Sequence, residues 1–235
     1  MPRPNDHEYW DSIHDTHVGE RAFIIATGPS LVEVNIGPLA DEFTVGVNHL
    51  RRYAGLSFRP NVWAACEYDD LYKVADDLRD LSEPKWFAHP VWHTYNPLKP
   101  EFHPDDTWKW IHTDSHANFA GGEEKWKGML DILGLDEVFW RVAVGHSPVL
   151  EPAIPALAWM GFREIYLLGV DHTPLHHAYD TDGERNQRID AATKSFANMV
   201  PELEKHGVLV RNCSPGSKAN VPYVPLEEVV GVPAL

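Results

Sequence analysis

A chain of 235 residues, 43% hydrophobic and 23% charged, carries enough apolar material for the packed core of one domain and lies far from the compositions that leave chains disordered. With 35 acidic against 20 basic residues its net charge is −15, a field that repels phosphate polymers and anionic membranes and so excludes free nucleic acid as an expected partner. The two cysteines, Cys66 and Cys213, form neither a disulfide framework nor a thiolate zinc motif, which fits a reducing compartment.

In chain order, residues 1–20 read as a polar N-terminal arm or short leading helix, and residues 21–235 as a single domain. The first residues lack the apolar core of a signal peptide, and no apolar run approaches the roughly 20 residues that cross a bilayer. A cytoplasmic protein without a membrane span is the expectation.

Ala22-Phe23-Ile24-Ile25-Ala26 is a continuous apolar run, the pattern of a strand covered on both faces, and it stops at Thr27-Gly28-Pro29-Ser30. Phe43 to Asn48 and Asn61 to Cys66 read as the next strands, Asp69 to Leu81 as a polar helix, and Lys85 to Ala88 as a fourth strand. From about 89 to 118 periodicity fails among Pro90, Pro97, Pro100 and Pro104, and aromatic and His residues crowd in, which predicts an irregular, aromatic-rich insertion. A helix at 123–133 and a strand at 138–144 follow.

Ala153 to Met160 is apolar nearly all round, as a buried helix is, with Pro152 and Pro155 limiting where it begins. Glu164 to Val170 is the clearest strand of the second half. Ile189, Ala192, Phe196, Met199 and Leu203 recur at helical spacing within 187–206, and Val208-Leu209-Val210 is the last strand. Strands alternating with helices predict an α/β fold, a Rossmann-like doubly wound and mostly parallel sheet, whose ligand crevice lies beyond the carboxyl ends of the strands.

The residues at those ends are Thr27-Gly28-Pro29-Ser30, Asn48-His49, Glu67-Tyr68-Asp69, Gly145-His146-Ser147 and Asp171-His172-Thr173. Hydrogen-bonding groups thus gather on one edge. Gly28 lets backbone approach a ligand, Pro29 fixes the turn, and Ser30 either caps the next helix or bonds a phosphate. A side chain added at Gly28 is expected to enter the ligand's path and to spare the core. The turn is neither a Gly-x-Gly-x-x-Gly fingerprint nor a Walker A loop, so residue patterns alone stop at a phosphate or nucleotide site.

A resemblance extends this reading. Phe23 to Leu31, Phe43 to Asn48, Gly161 to Asp171 and Arg211 to Ser217, in that order, resemble the superfamily of the bacterial lipooligosaccharide sialyltransferases, the motility accessory factor glycosyltransferases and the 6-hydroxymethylpterin diphosphokinase MptE-like domain. The resemblance implies a nucleotide-binding transferase, a glycosyltransferase using a nucleotide-activated sugar, with a small-molecule or glycan acceptor and no required cofactor. It assigns Thr27, Gly28, Pro29, Ser30, Asn48 and Ser147 to the donor nucleotide. Thr27 stands where relatives usually carry Asn, and no His lies between Thr181 and Ser195 where the sialyltransferase base is expected. The base is therefore expected among His172, His176 and His177, with Asp171 facing the acceptor. An ATP-dependent pterin diphosphokinase-like enzyme, which needs Mg²⁺, and a catalytically silent nucleotide-binding module are the alternatives.

Fourteen histidines invite a metal reading, through His14-x-x-His17, His89-x-x-x-His93 and His112-x-x-x-His116, but the last two pairs lie in proline-broken sequence where a shared helical face is not expected. No metal site is expected, and Asp69-Asp70 and Asp76-Asp77 read as solvated helix faces. Of the nine tryptophans, Trp86, Trp92, Trp108, Trp110 and Trp126 surround the irregular middle and are expected mostly in the core.

Overall fold

Among the described residues, seven parallel strands form one sheet in the order β5-β4-β3-β2-β1-β6-β7. They are β1 (Arg21–Ile25), β2 (Phe43–Val47), β3 (Val62–Cys66), β4 (Lys85–Pro90), β5 (Trp108–Thr113), β6 (Glu164–Leu168) and β7 (Leu209–Asn212). The computed structural model describes residues 7–66, 74–90, 106–113, 147, 149–173, 178 and 189–231. The helix expected at 123–133 and the strand expected at 138–144 lie outside the described residues.

Alternation along each strand divides the core into two layers. Ala22, Ile24, Val45, Val47, Val62, Ala64, Trp86, Ile165 and Leu167 point to one face. Phe23, Ile25, Trp63, Ala65, Phe87 and Leu168 point to the other. A strand buried on both faces has no polar positions to alternate, which is why β1 reads as an unbroken apolar run. The first face is covered by α1 (His7–Ile13), by α2 (Ile154–Trp159) and the π turn Val149–Ala153 leading into it, and by α3 (Ile189–Lys205). The second is covered by 3-10 turns at Pro29–Glu33 and Gly37–Asp41, a helical stretch at 74–78, and α4 (Leu226–Val230).

The N-terminal helix is part of the core. Trp10 is 0% exposed and packs on Trp86, whose indole N–H donates to the Tyr9 hydroxyl at 2.8 Å. Trp159 in turn donates to the Trp10 carbonyl at 2.7 Å.

Two expectations are corrected. The stretch 89–118 is not irregular throughout, because β4 runs on to Pro90 and residues 108–113 form β5, in register with β4 from Lys85↔Trp108 to Pro90↔Thr113. Trp86 and Trp108 are core residues of these strands, as expected, and Lys85, buried with its ammonium over the Trp108 ring, supplies a charge that the sequence pattern did not place there. The α-helix expected at Ala153 to Met160 is present as Ile154–Trp159, but the helical segment starts earlier, with a π turn at Val149–Ala153 ahead of it. The π turn takes in Pro152, whose missing N–H is tolerated where the regular α ladder has not yet formed.

The chain builds β1 to β5 outward to one side and then returns to place β6 on the other side of β1. The order reverses between β1 and β6, so the carboxyl ends of these two strands form the topological switch point, the usual ligand position in such sheets.

Candidate functional site

At the switch point the turn after β1 and the turn after β6 are interlocked. The Gly28 amide donates to the Gly169 carbonyl at 2.7 Å, and the Ala26 amide donates to Leu168 at 2.7 Å. Asp171, 5% exposed, accepts the Ser30 amide on Oδ2 at 2.7 Å and the Ser30 hydroxyl on Oδ1. A Cβ at Gly28 would lie 2.6 Å from Asp171 Oδ2 and 2.8 Å from its Cγ, and would strike the Gly169 carbonyl. Glycine is required here by the partner turn, so the expectation that a side chain at Gly28 spares the fold is corrected. Asp171, expected to face an acceptor, turns its carboxylate onto the start of the Pro29–Glu33 turn. Thr27 is buried, and its carbonyl accepts the Ala178 amide at 2.8 Å.

The segment Arg211 to Ser217 buckles the far side of this junction. Asn212 Nδ2 donates to the Val170 carbonyl at 2.9 Å, Ser217 Oγ donates to the same carbonyl at 2.7 Å, and the Val170 amide donates to Ser214 Oγ at 3.1 Å. The Lys218 amide reaches the Asp171 carbonyl at 2.9 Å. Three of the four stretches that carry the family resemblance, Phe23 to Leu31, Gly161 to Asp171 and Arg211 to Ser217, are therefore joined by backbone and side-chain bonds around the end of β6, while Phe43 to Asn48 joins them through the pairing of β2 with β1. Burial pushes the Cys213 thiol up to about 12, with the Glu227 charge adding to the effect, so it stays protonated.

Asn48 ends β2 in the left-handed region at φ 50°, a conformation that Asn adopts more readily than most residues. Its Oδ1 is buried and, among the described residues, has no hydrogen-bond partner. Thr173 Oγ1, two residues beyond Asp171, is buried and unpartnered in the same way. The sequence placed Thr173 at a strand end without singling it out, and only the missing partner marks it.

His172 also adopts a left-handed conformation, φ 50°, and shares a 2.7 Å hydrogen bond between Nδ1 and Thr193 Oγ1 of α3, with its ring against Phe196. Burial pushes its pKa down to about 4, so the imidazole is neutral at pH 7 and a weaker base than the ordinary histidine expected from sequence. His176 and His177 lie outside the described residues. Ser147 is half-buried just ahead of the Val149–Ala153 turn, and no hydrogen bond joins it to Asn48 or to the Gly28 turn.

A polar network beside Asn48 is legible only in three dimensions. His49 Nδ1 lies 2.5 Å from Asp77 Oδ2, which also takes Arg52 Nε at 2.7 Å, and Arg51 pairs with Asp80. Burial opposes ionisation of Asp77, but hydrogen bonds from Arg52 and His49 outweigh it and hold the carboxyl below its ordinary value. Asp76 is a solvated residue as expected, paired with Arg79, whereas Asp77 clamps its helix to the residues after β2. Of the histidine pairs, His14 stacks on Trp159 and His17 lies against Phe43 and Phe162, while His89 and His112 are register partners on neighbouring strands. His93 and His116 lie outside the described residues. Among the described residues no group of three His, Cys, Asp or Glu stands together to hold a metal ion.

No family model matches the chain, and no curated protein matches it. Among solved structures it is similar to the sialyltransferase CstII from Campylobacter jejuni in complex with the substrate analogue cytidine-5′-monophosphate, at 12% identity and a TM-score of 0.45, covering 88% of this chain and 86% of that one. The class that the sheet order and the switch point define is a Rossmann-like α/β protein. No helix among the described residues is long and apolar enough to cross a membrane.

Proposed function

We propose that the chain is a nucleotide-binding transferase, with a nucleotide-activated sugar as donor and a small molecule or glycan as acceptor. The observation that carries the reading is the pair of buried, unpartnered oxygens, Asn48 Oδ1 at the end of β2 and Thr173 Oγ1 beyond β6, on strands that flank β1 on either side of the switch point. A buried polar atom left without a partner is unfavourable by about 1–3 kcal/mol, a deficit that a ligand hydroxyl or N–H removes on binding. The sialyltransferase-like resemblance of the sequence supports a sugar nucleotide as that ligand. His172 is the described imidazole nearest in sequence to the Asp171 strand end, and in its neutral form it accepts a proton from an acceptor hydroxyl.

A second reading, a nucleotide-binding module without turnover, is favoured by one observation. Asp171 is engaged by Ser30, and His172 is held by Thr193 with its basicity lowered. The test is thermal stability against CMP, UMP, GDP, ATP and their sugar conjugates, followed by single-turnover donor consumption. A ligand at 100 times its dissociation constant raises stability by about 2.7 kcal/mol. Stabilisation by a nucleotide with donor consumed supports the transferase, stabilisation without consumption supports the module, and no stabilisation by any nucleotide rejects both.

A further inference from the structure

The turn that the sequence marks as a phosphate loop is already filled by an anion of the chain itself. Three features make such a turn receptive to an anion: amides at the start of a helical turn, a hydroxyl, and the open face of a glycine. Here the Ser30 amide and the Ser30 hydroxyl both donate to the Asp171 carboxylate, and that carboxylate lies across the face of Gly28 where a Cβ would stand. Asp171 is nearly inaccessible, and among the described residues no cation lies within ion-pair distance of it. A phosphate brought to this turn would meet donors already taken and a like charge without a nearby counter-ion, and Coulomb repulsion at short range in a partly dry site is strong.

We infer that Asp171 is a specificity-determining residue: its carboxylate occupies the donors of the Gly28–Ser30 turn and excludes phosphate from it, so that the phosphate of a bound nucleotide is held elsewhere. This rests on the nucleotide reading above and changes its layout. The unpartnered Asn48 Oδ1, one strand away, calls for a donor in the same sense, since an acceptor oxygen is satisfied by a sugar hydroxyl or a base N–H and is repelled by a phosphate oxygen.

The test compares the wild-type chain with Asp171→Asn and Asp171→Ala, using as probes inorganic phosphate, formate, the four common ribonucleosides and their 5′-monophosphates. Wild type is expected to show no thermal stabilisation by inorganic phosphate beyond an ionic-strength control. Asp171→Ala empties the carboxylate position and is expected to gain a dose-dependent stabilisation by formate or phosphate, lost again when Ser30→Ala is added. Wild type stabilised by inorganic phosphate in a manner abolished by Ser30→Ala overturns the inference. Should Asp171→Ala not fold, Asp171→Asn decides alone, because it keeps an acceptor for Ser30 and removes the charge. Its affinity for the nucleoside should stay within about twofold of wild type while its affinity for the monophosphate rises roughly three- to tenfold. Equal or weaker binding of the monophosphate by Asp171→Asn overturns the inference. If no nucleoside or nucleotide binds wild type, the nucleotide reading fails, and the formate and phosphate measurements on Asp171→Ala still decide whether Asp171 fills the turn.

Discussion

The amide of Gly28 donates to the carbonyl of Gly169 at 2.7 Å, so two glycines 141 residues apart bring the turns of β1 and β6 into backbone contact. The contact is closed from both sides. A Cβ on Gly28 would meet the Gly169 carbonyl and the Asp171 carboxylate, and a Cβ on Gly169, which sits at φ +65°, would lie 2.5 Å from the Ala26 carbonyl. Gly28→Ala and Gly169→Ala are each expected to destabilise the fold by about 2–4 kcal/mol, the range of overpacked or strained backbone sites. Gly207→Ala is the control, since Gly207 has φ +76° but nothing within 4 Å of a Cβ, and should lose only about 1 kcal/mol. Urea denaturation of the three variants makes the comparison. Equal losses at all three would mean that the interlock contributes nothing beyond backbone preference.

At Asn48 the backbone and the side chain separate cleanly. Its φ of 50° suits Gly better than Ala, and its Oδ1 makes no bond that unfolding would break. Asn48→Gly should therefore leave stability within about 1 kcal/mol of wild type or raise it, while Asn48→Ala loses about 1 kcal/mol. Both should weaken nucleotide binding by about 1–3 kcal/mol through the lost acceptor. Calorimetric dissociation constants beside denaturation midpoints test this. Unaltered affinity in Asn48→Gly would reduce Asn48 to a turn former.

What the sequence made legible was whatever one strand or one turn encodes by itself. β1 and β6 are continuous apolar runs because both faces are covered, and the residues at their ends are polar because strand ends face water or a ligand. β5 was hidden for the converse reason. Among the described residues it is the outermost strand, with Lys109 and His112 among its aromatics and Pro104 just upstream in sequence, so neither a continuous run nor a clean alternation appears. The roles at the switch point were hidden because they depend on partners far away in sequence. Gly28 looks the same whether it admits a ligand or Asp171, and Ser30 whether it holds a phosphate or a carboxylate, until β6 is placed beside β1. The His49–Asp77–Arg52 cluster is of the same kind, joining residues 28 and 25 apart that no local motif connects.

Lys85 opens β4 at the end of the sheet away from the switch point, 1% exposed, with Nζ donating to the carbonyls of Leu81 and Glu83 at 2.7 and 3.2 Å and to Thr107 Oγ1 at 2.6 Å. It ties the approach to β4 to the approach to β5. Lys85→Met keeps an unbranched apolar side chain but removes the ammonium that lies 5.7 Å from the Trp108 ring centroid, and with it the donors to the Leu81 and Glu83 carbonyls. A loss of about 2–4 kcal/mol with nucleotide affinity unchanged is expected, measured by urea denaturation and calorimetry on the same preparation. A variant as stable as wild type would show that the tie is dispensable; one with altered affinity would show that β4 and β5 communicate with the ligand.

His172 sets a pH dependence whose sign follows from its burial. In the unfolded chain an exposed imidazole takes up a proton near pH 6.5, whereas in the folded protein burial against Phe196 delays protonation to about 4. Between these values the unfolded state binds more protons than the folded one, so stability falls as pH drops from 6.5 toward 4 and is constant, for this group, above 6.5. The full effect is about 3 kcal/mol. His172→Gln retains a hydrogen-bonding partner for Thr193 and does not titrate, so it should flatten this part of the profile while changing stability at pH 7.5 by less than about 1 kcal/mol. Denaturation midpoints at pH 7.5, 5.5 and 4.5 for both proteins measure the difference. The same shift bears on turnover: a base that stays neutral down to pH 4 gives a donor-consumption rate that is flat from pH 7.5 to 5.5, whereas a base of ordinary pKa loses most of its activity over that interval. A rate that halves near pH 6.5 and is insensitive to His172→Gln would move the base away from His172 and toward the histidines at 176 and 177.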